Sequence, residues 1–344
     1  MITTKNPKCV YLLRVNDPEN KSRNKTFQYP KKGTVTAPDW IPDRVCGRGL
    51  HGWENGEGDY SAADWHEDGV WLVLRVLESD LVRLNGKVKF KTGTVAHAGT
   101  RESATRYIWE KTKAPRIIGL VLTGGDYSTL TGGYRSTLTG GYRSTLTGGY
   151  RSTLTGGDES TLTGGHRSTL TGGDYSTLAG GDYSTLTGGD GSTLTGGYKP
   201  TLTGGDKSTL TGGDESTLTG GYKSTLTGGY KSTLTGGYKS TLTGGDYSTL
   251  TGGYKSTLTG GDYSTLTGGD YSTLTGGDGS TLTGGDKSTL TGGDKSTLTG
   301  GDESVLCWRV WDGHRHRLHV RYTGEGGIES NKAYRFVNGE VVVV

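Results

Sequence analysis

From Gly124 to Cys307 the apolar positions recur at one spacing, a Leu every eighth residue with polar residues between. The unit reads Gly-Gly-x-x-Ser-Thr-Leu-Thr and is copied 23 times without insertion. Ser-Thr-Leu-Thr alternates with period two, the signature of a half-buried strand. β-Branched Thr suits a pleated surface. Leu at position seven, the one regular large apolar group, has to face inward. Ser at position five then faces inward too, and the Thr at positions six and eight face outward. The Gly-Gly pair and the two variable residues are expected to form the turn, with glycine supplying positive φ. Strand and turn repeated without change stack into a β-solenoid. Two octads make one flattened coil of 16 residues, so 23 octads predict about 11 two-strand coils.

The flanks are patterned differently, and all seven Trp lie in them. Residues 1–123 read as an N-terminal α+β domain. Cys9–Val15 and Val70–Leu77 are apolar runs of buried-strand type. Leu81–Phe90 reads as a hairpin around Asn85-Gly86, and Arg101–Lys111 as a short helix. The chain is thus expected to be mainly β, divided into 1–123, the solenoid 124–307, and a small C-terminal β cap 308–344. Open solenoid ends are bare strand edges, so covers are expected at both.

Composition follows from the repeat. Of 344 residues, 64 are Gly and only 30% are hydrophobic, too few for one large enzyme core. Net charge is +3, which carries no nucleic-acid signal. The array holds 12 Lys/Arg and 17 Asp/Glu, while the flanks hold 26 and 18. Apolar runs such as Val70–Leu74 are too short to cross a membrane as a helix. The N-terminus lacks the apolar stretch of a secretory signal. Three Cys are odd in number and far apart, so neither a disulfide framework nor a Cys-x-x-Cys metal site is expected. Cys46 and Cys307 read as small buried residues. Gly-Gly-Asp suggests a calcium-binding β-roll, but that repeat has period nine. No metal or cofactor is expected.

The two outward Thr of one strand stand about 6.8 Å apart, and the next coil repeats them about 4.8 Å away. The columns hold no titratable group, so catalysis by the array is not expected. A flat grid of hydroxyls and methyls is suited to ordering water.

The octad closely resembles the half-repeats of bacterial ice nucleation proteins, Ala-Gly-x-x-Ser-Thr-x-Thr in pairs, with Gly-Gly here in place of Ala-Gly. Tyr recurs at position three, as in Gly133-Tyr134 and Gly221-Tyr222. The tail resembles that family's C-terminal cap at Trp311-Asp312-Gly313, Arg315, Arg317-Leu318, Gly324-Glu325, Gly327-Ile328-Glu329 and Tyr334-Arg335. The resemblance implies that Thr columns template ice. Carried over, the template pairs are Thr129 and Thr131, Thr137 and Thr139, Thr145 and Thr147, Thr153 and Thr155, and Thr161 and Thr163. Further along come Thr209 and Thr211, Thr217 and Thr219, and Thr225 and Thr227. It also implies a turn ladder with assembly contacts, at Tyr134, Tyr142, Tyr150, Tyr222, Tyr230 and Tyr238. The basic residues that follow them are Arg135, Arg143, Arg151, Lys223, Lys231 and Lys239. Basic octads of this kind belong to the assembly section of the family's arrays. Those arrays are several times longer, so this chain alone is expected to be a weak nucleator or an ice binder. Ice or ordered water and a second copy of the chain are the expected partners. The family acts at the outer membrane surface. Residues 1–123 depart from its N-terminal domain, which leaves the cytoplasm as the alternative.

Within residues 1–123, Cys46-Gly47-Arg48-Gly49-Leu50-His51-Gly52-Trp53 is the most distinctive stretch. Its glycines allow close backbone approach to a phosphate, but a strand–loop–helix context is missing. His51, His66 and His97 are candidates for a ligand or acid–base set, and His314 and His316 for a shared strand face. The expectation is no enzyme. The alternatives are a rigid spacer or surface adhesin, and a small N-terminal enzyme or toxin on a stalk. A pocket joining His51 to a second titratable group favours the last.

Overall fold

The computed structural model describes residues 8–59, 61, 65–66 and 68–344. The chain falls into two compact units. One is Met1–Gly124 with Thr129–Thr139 and Thr147–Leu154; the other is Gly125–Ser128, Gly140–Leu146 and Thr155–Val344.

The first unit is built on a seven-stranded antiparallel sheet. Its strands are β1 (Cys9–Val15), β2 (Gly33–Thr36), β3 (Leu50–Glu54), β4 (Trp71–Leu77), β5 (Leu81–Arg83), β6 (Val88–Phe90) and β7 (Thr92–Gly99), in the order β2-β7-β4-β1-β3-β6-β5. The two apolar runs, β1 and β4, lie side by side in the middle, from Cys9 opposite Leu77 to Val15 opposite Trp71. Strands buried on both faces read as continuous apolar runs, so their central place follows from their sequence. The expected hairpin is β5 paired with β6, with Gly86 at φ 76°. Helix α1 (Arg101–Thr112) is capped by Thr100, whose hydroxyl accepts from the Ser103 N–H. Thr105 on this helix accepts from the Val121 N–H at 3.2 Å. Val121–Thr123 then pairs in parallel with Thr137–Thr139, so Leu122, two residues before the first Gly-Gly, stacks on Leu138. The ladder of parallel strands therefore starts at Val121.

The second unit is a β-solenoid with 16-residue spacing. Each three-residue strand pairs in parallel with the strand 16 residues on, as in Thr209↔Thr225, Leu210↔Leu226 and Thr211↔Thr227. Alternate octads feed two such stacks. Leu stays at about zero exposure from Leu138 to Leu306, and the Ser of position five is equally buried. The ladder continues outside the strands. The Gly220 N–H donates to the Thr235 carbonyl, the Gly221 N–H to the Gly205 carbonyl, and the Lys223 N–H to the Tyr238 carbonyl. Nearly all of the octad's backbone is thus laddered from coil to coil, which compensates for a core of one Leu and one Ser per octad.

The turn differs from the expectation. The Gly-Gly pair does not carry positive φ. Position four does, at 51–62° for Lys, Arg, Tyr and Glu and at 65° and 68° for Gly191 and Gly279. Glycine at position two is required by close approach instead. A Cβ on Gly221 would stand 2.2 Å from Asp206 Oδ1 and 3.0 Å from the Asp206 nitrogen, in the preceding coil.

Antiparallel strands close the far end. Val305–Trp311 continues one stack and pairs with His316–Tyr322, while Ala333–Val337 lies on Thr297–Thr299. Trp308 and Tyr334 are buried there. Thr323 ends the inner Ser file, accepting from the Ser304 N–H and donating to the Gly301 carbonyl, both at 2.8 Å.

Candidate functional site

The outward face of the array is a lattice of Thr. Thr145, Thr147, Thr153, Thr155, Thr161 and Thr163 are all exposed around a buried Leu. Thr209, Thr211, Thr217, Thr219, Thr225 and Thr227 repeat the arrangement. Parallel register sets Thr209 between Thr193 and Thr225, and Thr211 between Thr195 and Thr227, which makes two straight columns. The other stack does the same with Thr201, Thr217 and Thr233. Ala179 interrupts a position-eight column that Cys307 ends, and Val305 ends the position-six column beside it. β-Branched side chains have few χ1 choices. Each is wedged between copies of itself above a Leu fixed in the interior, so the hydroxyls and methyls form a stiff, repeating pattern.

The two ends of the lattice are covered. In the first unit Thr129 is exposed, while Thr131, Thr137 and Thr139 are half-buried. Arg101 donates to Thr137 Oγ1 at 3.3 Å. At the other end Arg335 donates to Thr297 Oγ1 at 2.7 Å and leaves that residue 8% exposed.

Tyr side chains form ladders along the turns, in several short runs. Tyr222, Tyr238 and Tyr254 stack with centroids 5.4 and 5.3 Å apart and rings within 12° of parallel. Tyr134 and Tyr150 stack at 5.5 Å. Tyr142 meets Tyr127 edge-on and donates to Glu159 at 2.9 Å. Tyr230 meets Tyr247 edge-on. The following cation folds back over the ring: Lys223, Lys231 and Lys239 lie 4.9–5.0 Å from their Tyr centroids, and Arg135, Arg143 and Arg151 lie 5.1–5.7 Å away. Arg143 also pairs with Glu159, one coil on.

One role was not read from the sequence. Asp at position three brackets successive coils. Asp206 Oδ1 accepts the Tyr222 N–H, Asp190 that of Asp206, and Asp174 that of Asp190, all at 2.8 Å. The signal is present in the repeat, since position three is Asp wherever it is neither Tyr nor His.

The N-terminal histidines do not form one set. His51 and His66 line a common small cavity. His97 stacks on Tyr107 and bonds to Ser103 instead. No group of three metal-binding side chains occurs among the described residues. The Gly47–Gly49 loop leads into β3 rather than a helix. Cys307 is buried as expected, but Cys46 is exposed because it sits in that loop. His316 begins a strand; His314 lies in the preceding turn, where its N–H donates to Asp312, and so does not share a strand face with it. The Asp312 carboxyl, bonded by the Arg315 and His314 amides and then by Arg317, is held down at about 2.

With these columns in place, curated relatives are informative. The chain is similar to bacterial ice nucleation proteins. It is 43% identical over 82 residues to one from Pseudomonas syringae and 52% identical over 82 residues to one from Pseudomonas fluorescens. It is 36% identical over 82 residues to ice nucleation protein InaU of Pantoea ananas. Each match covers 23% of this chain and 7–8% of the relative's length. No protein-family model and no solved structure matches.

Proposed function

We propose that this protein orders water on its Thr columns and so binds and nucleates ice. The reading is carried by one observation: Thr at positions six and eight stay exposed and in register from coil to coil while the Leu between them is buried. A spacer solenoid needs the inward Leu and Ser but not the outward Thr. The ends of the lattice are covered and its columns are short. A single copy is therefore a weak nucleator, and self-association along the Tyr–Lys turns extends the template. Apart from Cys307 the columns carry no ionisable side chain, since positions six and eight otherwise hold only Thr, Ala and Val.

Droplet freezing tests this, with purified full chain beside a variant carrying Lys for outward Thr through six adjacent octads, Thr201 to Thr243. Wild type is expected to freeze warmer than buffer and the variant at the buffer temperature, with unchanged circular dichroism. A rise in freezing temperature with protein concentration is expected from assembly. Equal freezing by wild type and a folded variant would reject the Thr template.

A further inference from the structure

The N-terminal sheet domain holds a cleft of about 500 Å³, within the usual range for small-molecule sites. Arg14, Arg23, Asp39, Arg48, His51 and Lys87 line it, so cations outnumber the one described carboxylate. Arg14 lies deepest. It projects from β1, a strand otherwise of apolar type, and burial pulls its pKa down. Its Nε donates to Asn16 Oδ1 at 2.6 Å, its terminal nitrogen donates to the His51 carbonyl at 2.8 Å, and its guanidinium sits 4.2 Å from the Tyr29 ring centroid. All three partners are neutral. Lys89 of the same sheet shows the alternative, for its buried ammonium is paired with the Asp43 carboxylate and bonded to the Val45 carbonyl. Burying a cation without a counter-charge is costly. Among the described residues, the sheet pairs the buried Lys89 with a carboxylate and leaves the half-buried Arg14 with neutral partners, at a cleft walled by more positive charge.

We propose that this cleft binds a phosphorylated small molecule, with Arg14, Arg48 and Lys87 clamping its phosphate. A guanidinium fork matches phosphate oxygens in pairs, and Lys supplies a further point charge. Side chains do the clamping, since the Gly47–Gly49 loop runs into a strand and offers no helix N-terminus. His51 fits the same field. Burial first, then Lys87, Arg14 and Lys89, push its pKa down to about 4 against the opposing effect of Asp39. The Gly47 N–H points at its Nε2 at 3.5 Å, as suits a neutral ring.

The test is calorimetric titration of the full chain with inorganic pyrophosphate and with ADP in low-salt buffer. One-site saturable binding is expected for at least one probe. Arg48→Gln and Lys87→Gln are expected to weaken it at least tenfold each; Arg48 is exposed and Lys87 half-buried, so both variants should fold. Arg14→Gln, once circular dichroism shows it folded, should abolish binding. In wild type, a bound anion stabilises protonated His51, so its NMR titration midpoint should rise on saturation with pyrophosphate. Absence of binding at millimolar probe would overturn the proposal. So would equal affinity in the Arg48 and Lys87 variants, or saturable binding of a single-stranded oligonucleotide without binding of either probe.

Discussion

In the N-terminal sheet, Leu12, Leu50, Leu74 and Phe90 come from strands far apart in sequence and pack into one cluster. In the array, nearly every octad buries one Leu and one Ser against copies of themselves 16 residues away, Pro200 replacing Ser in one octad. The sheet depends on many different long-range contacts, all needed together. The array depends on one contact repeated, with the backbone carrying much of the cohesion. Damage to the sheet should therefore spread, and damage to the array should stay where it is made.

The sharpest way to break this contrast is a pair of cavities. Trp71→Ala removes the largest fully buried side chain of the sheet and is expected to cost about 3–5 kcal/mol. Leu226→Ala is expected to cost about 2–5 kcal/mol. The difference should lie in reach. Hydrogen exchange should rise throughout β1–β7 in the first variant. In the second it should rise only in the coils beside Leu226. If Leu226→Ala loosens the array uniformly, it is not a one-dimensional stack.

The array's logic was mostly legible from its own period. An eight-residue unit with a single Leu leaves one inward face, and stacking then sets Thr on Thr. What was not legible depends on the distance between coils. Gly-Gly looked like a source of positive φ, yet only the spacing from Gly221 to Asp206 reveals that position two has no room for a Cβ. In the sheet, β1, β4, the β5–β6 hairpin and the helix were legible from apolar runs and punctuation, but β2, β3, β7 and the cleft were not. Arg14 in the run Cys-Val-Tyr-Leu-Leu-Arg-Val was the visible signal, a charge where the pattern asks for an apolar residue. His97 could not be separated from His51 without knowing which strands are neighbours.

A smaller effect tests the turn. Lys207 holds φ 56°, a region costing an L-residue about 1–2 kcal/mol. Lys207→Gly is expected to stabilise the folded state by about 1 kcal/mol, as the glycine at 191 in the preceding coil already illustrates. Lys207→Val should instead destabilise, since a β-branched residue is least tolerated there. Denaturant melts in which Val and Gly behave alike would show that the backbone at position four is free to relax.

The smallest effect separates two ways of joining coils. Where position three is Asp, its carboxylate takes the next coil's amide; where Tyr recurs, rings stack. Asp206→Ala removes the acceptor for the Tyr222 N–H and is expected to cost about 1 kcal/mol, since water reaches this exposed edge. Asp206→Asn keeps an oxygen in the same place and should cost less. The amide itself is the decisive readout. Tyr222 should exchange faster in the Ala variant and keep most of its protection in the Asn variant, with Tyr238 and Tyr254 unchanged because their stacking does not pass through Asp206. Loss of protection along the whole Tyr222–Tyr254 run would mean that the carboxylate bracket sets the register of the stacked rings, and that the two devices act as one.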